Sequence, residues 1–169
     1  MDSVTPLVFT PPVAEQRVGI LGRLLALVLA TAAIGVLVTA VLIKPSPEGV
    51  GTHRQIRYLS PTGDPPPACE LLRISGIPCP TCGMTTSFAW FVRGNWLASF
   101  YVQPMGFLLA LMTGAFFWAC LFIALSGAPL HRLLTQIRGV VWITGLVGVG
   151  IAAWGWKIFI HLAHLDGWR

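Results

Sequence analysis

A chain of 169 residues that is 55% hydrophobic and only 10% charged, against a usual charged share of about 25%, has too little polar surface to cover a soluble core, and its composition indicates a membrane protein. The net charge of +5 raises nucleic acid as a partner, but the basic residues stand singly, with no lysine-rich run and no basic stripe interleaved with aromatics. That excludes nucleic acid and leaves a lipid bilayer as the surface the cations flank.

Residues 1–18 carry prolines and no helical period and read as a flexible tail. Residues 19–43 hold the first predicted membrane helix: the stretch 24–43 is uncharged and matches the ~20 residues that ~30 Å of hydrocarbon requires. A cleaved secretory signal would have a shorter apolar region and a small-residue cleavage site. This run instead stops at Lys44-Pro45-Ser46-Pro47, as an uncleaved anchor would. Residues 44–75 form an extramembrane loop, because its prolines and glycines forbid a continuous helix. Within it, residues 53–59 read as a short strand or an interfacial turn. Residues 68–74 suit a short helix lying on the bilayer and carrying Cys69 toward a cysteine pair at 79 and 82.

Residues 76–103 are the centre of the chain. Cys79-Pro80-Thr81-Cys82 places two sulfurs two residues apart, a spacing at which both can face one point, a metal ion or a shared disulfide. Pro78, Pro80 and Gly83 stiffen the turn. The apolar stretch after it, residues 84–102, is long enough to span but carries Arg93-Gly94-Asn95 in its middle. An arginine at mid-bilayer costs about 2.5 to 3.5 kcal/mol on insertion scales. Two half-length pieces are expected instead: a half-helix through Val92, a turn at Arg93 and Gly94, and a short interfacial helix capped by Asn95. Trp90, Trp96, Phe100 and Tyr101 then fall where aromatic belts sit.

Pro104 opens the second predicted span, residues 104–126, as proline does at a first helical position. Residues 127–138 are a short polar loop that includes His131. Residues 139–162 are the third span, in which Gly145, Gly148 and Gly150 offer small surfaces for close helix packing, and Trp154, Trp156 and Lys157 read as interface anchors. Residues 163–169 end the chain. The fold class is therefore all-α: a polytopic membrane protein with three transmembrane helices and a half-helix and interfacial-helix region after a cysteine knuckle.

If the spans alternate, Arg17, Arg23, Arg132 and Arg138 share one side, while Lys44, Arg54, Arg57, Arg73, Arg93, Lys157 and Arg169 share the other. The positive-inside rule then leans toward a cytoplasmic cysteine loop, where thiols stay reduced.

Three chemistries remain open for the pair. Cys79 and Cys82 can be half of a zinc site, with Cys69 and His53 as the nearby candidates for the remaining ligands, or with a second copy of the knuckle completing four. They can be a redox dithiol, Cys79 attacking and Cys82 resolving, its thiolate favoured by a helix N-terminus. Or they can be a structural turn with inert thiols. Cys120, inside the second span, reads as a small packing residue. His161 and His164 read as anchors at a helix end before they read as ligands. Thr85, Thr86 and Ser87 read as backbone-bonding glue. No carboxylate pair lies inside a span, and there is no phosphate loop, Ser-His-Asp set or His-Glu-x-x-His.

The order Ile77-Pro78-Cys79-Pro80-Thr81-Cys82-Gly83-Met84-Thr85, then Arg93-Gly94-Asn95, then Pro104-Met105 resembles a family of small bacterial membrane proteins of unknown function, number 2752. That family's pattern is a Cys-Pro-x-Cys-Gly-x-Thr-Arg knuckle, an Arg-Gly turn, and an Asn-Pro before the next helix. The resemblance covers residues 76–111. Thr86 stands where the family carries arginine, and Gln103 where it carries asparagine. The resemblance implies a bacterial membrane protein and no particular reaction. The reading favoured on these grounds is a non-enzymatic protein of the bacterial inner membrane. Its knuckle binds zinc or shapes an assembly surface for another membrane protein or a second copy. The rival is a membrane thiol-disulfide oxidoreductase using Cys79 and Cys82.

Overall fold

The computed structural model of the chain describes residues 17–56, 69–128 and 139–168. Among the described residues three helices are long and apolar enough to cross a membrane: α1 (Ile20–Leu42), α5 (Pro104–Ser126) and α6 (Gly139–Leu162). In their most apolar stretches only 22%, 11% and 17% of the residues are buried within the protein. Apolar surface on that scale has no aqueous explanation in a folded chain. The molecule is an all-α polytopic membrane protein, and among the described residues there is no strand.

The long helices run antiparallel in turn, and polar contacts at their ends fix the order. At one end the Val18 amide donates to the Gly127 carbonyl at 2.8 Å, and the Arg23 guanidinium donates to the carbonyls of Ala124 and Leu125 at 2.8 and 2.9 Å. Those are the last-turn carbonyls of α5, which have no partner within their own helix, and a cation there also suits the helix dipole.

Between α1 and α5, at the opposite end, lie the short elements: a 3₁₀ turn (Thr52–Gln55), α2 (Glu70–Ser75), α3 (Met84–Val92) and α4 (Trp96–Val102). Residues 84–102 are thus two half-length helices, broken at the expected Arg93-Gly94-Asn95 interruption. The turn between them is made by Arg93 and by Gly94 at φ 77°. Asn95 caps α4, its side chain accepting from the Ala98 amide at 3.1 Å.

Arg93 does more than turn the chain. Its guanidinium donates to the carbonyls of Ala40, Val41 and Ile43 at 3.2, 3.0 and 2.8 Å, and to that of Ala89 at 2.7 Å. One side chain therefore satisfies the C-terminal carbonyls of α1 and ties them to α3, the same device as Arg23 at the other end.

The half-helices are locked together by their hydroxyls. Ser87 and Ser99, both fully buried, each donate to the other's carbonyl at 2.8 Å. Helix α5 closes on α3 at Gly106, where a Cβ would lie 2.8 Å from that of Ser87. The expected packing role of Gly145, Gly148 and Gly150 is not seen: a Cβ at each would meet nothing within 4 Å. Gly145 lines an open groove with Leu108 and Met112 of α5 without close contact.

Candidate metal centre

The knuckle is built by backbone before any side chain acts. The Cys82 amide donates to the Cys79 carbonyl at 3.0 Å, and the Met84 amide to the Thr81 carbonyl at 3.1 Å. Gly83 then enters α3 at φ 88°, where a side chain would be strained and a Cβ would fall 2.8 Å from the Gly49 carbonyl oxygen. The proline-rich turn predicted from sequence is this structure, and it fixes Cys82 beside the N-terminus of α3.

Two carbonyls of the knuckle are held from outside. The Trp154 indole donates to the Pro78 carbonyl and the Gln103 amide to the Pro80 carbonyl, each at 2.8 Å. Gln103 stands where the resembled family has asparagine, just before a helix start. It makes no capping bond, reaches back to the knuckle, and keeps its own Oε1 buried without a partner in the structure. Thr86, which replaces the family's arginine, shares a 2.7 Å hydrogen bond with Thr52, and Thr52 accepts from the Ser46 amide at 2.9 Å. An uncharged pair at this point joins α3 to the 3₁₀ turn.

Cys69 completes the cluster. It is the residue before α2, and Gly76, at φ 68°, reverses the chain after that helix so that Cys69 and the knuckle meet. The sulfurs of Cys69, Cys79 and Cys82 all lie within 4.8 Å of one another, and the Cys79 and Cys82 Sγ atoms are 3.3 Å apart. Thiolates at ~2.3 Å around a tetrahedral ion stand roughly 3.8 Å apart. The three sulfurs are therefore positioned where they could hold one metal ion after small rotations. All three are free thiols; Cys82 is buried and the other two are half-buried.

Their surroundings split the thiols electrostatically. Burial works against ionisation of Cys69, but it is outweighed by its hydrogen bonds to the Leu72 backbone and to the Cys82 and Cys79 side chains. Its pKa comes down to about 7. Burial, with the Cys79 and Cys69 thiols beside it, pushes Cys82 up to about 12. A helix N-terminus does favour a thiolate here, on Cys69 at the start of α2 and not on Cys82 before α3.

A cavity of about 550 Å³ opens beside the cluster; all three cysteines line it, together with Glu48, His53, Arg54 and Thr81. His53, in the 3₁₀ turn, shares that cavity but falls outside the group of clustered donors. The expected strand or turn at residues 53–59 is a 3₁₀ turn as far as Gln55; residues 57–59 lie outside the described residues, as does His131. Cys120 is buried within α5, away from the cluster.

Lys157 and the two histidines near the end of α6 meet at one carboxylate or lie just beyond it. Lys157 is not the interface anchor its position suggests; it has no exposed surface and donates to Asp166 at 2.7 Å. His161 Nδ1 contacts the other oxygen of the same carboxylate. His164 lies past the end of α6 in left-handed backbone, φ 56°, so the two histidines do not stand on one helical face. The Lys157 side chain passes behind the knuckle: a Cβ on Gly83 would lie 3.6 Å from Lys157 Cε.

Residues 69–118 match the model of a family described as a protein of unknown function (DUF2752), the family that the knuckle, the Arg-Gly turn and the proline start resemble. No curated protein and no solved structure matches the chain. The matched segment contains the three clustered cysteines, Arg93 and Gln103, whereas Trp154, which holds the Pro78 carbonyl, and Glu48, His53 and Arg54 of the cavity wall lie outside it.

Proposed function

We propose that this is a multi-pass protein of the bacterial inner membrane whose cysteine knuckle, completed by Cys69, holds one zinc ion and thereby shapes a surface for assembly with another membrane protein or a second copy. The cysteine face is assigned to the cytoplasm, where the thiols stay reduced. The protein acts by binding and not by catalysis. The observation that carries the reading is the convergence of three free sulfurs from two separated segments on one point, at a turn whose carbonyls are clamped by Gln103 and by Trp154 of α6. Such outer supports orient the first ligands of a metal site.

Zinc would supply a fixed link between α2 and α3 and no redox chemistry of its own. Metal analysis of the purified protein tests this. One zinc per chain is expected, falling to near zero in Cys82→Ser, whereas metal-free protein with a titratable dithiol contradicts it.

The second reading, a membrane thiol-disulfide oxidoreductase, has a specific support in the 3.3 Å approach of the Cys79 and Cys82 sulfurs. There the half-buried Cys79 would attack and the buried Cys82 would resolve. Reversible reduction of an added disulfide by the metal-free protein, abolished in Cys79→Ser, would favour that reading over the first.

A further inference from the structure

We propose, resting on the metal reading above, that the ion keeps its fourth coordination position open to the cavity beside the knuckle and fills it with a small external thiolate. Among the described residues the clustered donors number three and all are sulfur. Structural zinc sites close their shell with four protein ligands, whereas three ligands leave one position for an exchangeable group. The remaining cysteine, Cys120, is buried in α5 and does not join the cluster.

The space beside the three sulfurs is about 550 Å³. One water takes roughly 30 Å³ of liquid volume, so there is room for a small organic thiol as well as for solvent. A soft, sulfur-rich donor set suits ions that also accept a soft fourth donor. The wall carries Arg54 as well as Glu48, so an incoming single negative charge meets a cation as well as an anion. His53 stands on the same wall and, among the described residues, is with Glu48 a side chain that would compete for the open position.

Cobalt(II) substitution of the full chain in detergent tests the proposal, because its visible bands report both thiolate ligation and the identity of the fourth donor. Thiolate-to-cobalt bands are expected in the protein alone. Added 2-mercaptoethanol should shift the visible envelope saturably and strengthen those bands, with cobalt retained through desalting, and His53→Ala should behave the same way. Bands that ignore the thiol in the parent chain overturn the proposal, and sensitivity appearing only in His53→Ala identifies histidine as the closing ligand. A four-sulfur spectrum present before any thiol is added, and fading on dilution, overturns it in favour of a ligand from a second copy. Loss of cobalt on thiol addition also overturns it. Absence of thiolate-to-cobalt bands altogether defeats the metal reading itself, a result distinct from all of these.

Discussion

Lys157 puts an ammonium where no surface is exposed, and Asp166 is its counter-ion. A buried pair contributes little compared with an apolar isostere, but removing one member leaves an uncompensated charge and costs about 3–5 kcal/mol. Asp166→Asn should therefore destabilise the protein on that scale in detergent unfolding. The double variant Lys157→Met, Asp166→Asn should recover much of the loss, and equal loss in single and double variants would contradict the pairing. The same scale governs the thiols. The fold holds the Cys69 pKa at about 7, below the ordinary 9.0, so it favours the thiolate. That contribution to stability is fully present above the unfolded value and disappears as pH falls through about 7. Alkylation of Cys69 in metal-free, reduced protein should accordingly rise with a midpoint near 7, while Cys82, pushed up to about 12, stays inert throughout neutral pH. Mass spectrometry of labelled peptides separates the two. Equal labelling of both would contradict the split. The Cys79 and Cys82 spacing was legible in the sequence because it is local. Cys69 was legible only as a candidate, since its approach depends on a chain reversal at Gly76. The partner of Lys157 was not legible: Asp166 lies beyond the helix end and outside the i, i+4 reach on which a sequence reading of ion pairs relies.

At the scale of elements, the knuckle is a turn clamped by one helix and one inter-helix residue outside it. Trp154 of α6 and Gln103, just before α5, hold the Pro78 and Pro80 carbonyls. Outer contacts of this kind change metal affinity by roughly 10–100-fold. Gln103→Leu and Trp154→Phe should each weaken zinc retention within that range in a chelator competition, while helix content by circular dichroism stays unchanged. Unchanged retention in both would separate the clamps from the site. Arg93 couples α1 to α3 through four carbonyls. Hydrogen bonds to charged groups are worth about 1.5–3 kcal/mol each, and they are not additive. Arg93→Gln should lower stability by a few kcal/mol on that basis, read by thermal unfolding in detergent. Here the sequence spoke clearly about breaks and starts. The Arg93-Gly94 break, the Asn95 cap and the Pro104 start all act within one turn and all describe what is observed. It could not indicate that Arg93 reaches carbonyls some fifty residues earlier in the chain, nor that a Cβ at Gly145, Gly148 or Gly150 would meet nothing within 4 Å, because helix faces are assigned by neighbours and not by composition.

Across the whole molecule, three alternating helices gather the 3₁₀ turn, the knuckle, the two half-helices and the C-terminal Asp166 at one end, and leave the Arg23 and Gly127 contacts at the other. The apolar runs made the number of spans and the all-α class readable. The end at which the site assembles followed from their alternation. A membrane-impermeant thiol reagent applied to intact cells should leave Cys69 and Cys79 unlabelled if that end is cytoplasmic, and labelling from outside would reverse the orientation. The central claim is that three sulfurs from two separated segments act as one unit. X-ray absorption at the zinc edge of the purified protein addresses it most directly: three sulfur neighbours at about 2.3 Å and one further scatterer are expected, and a shell with two sulfurs or none would contradict it.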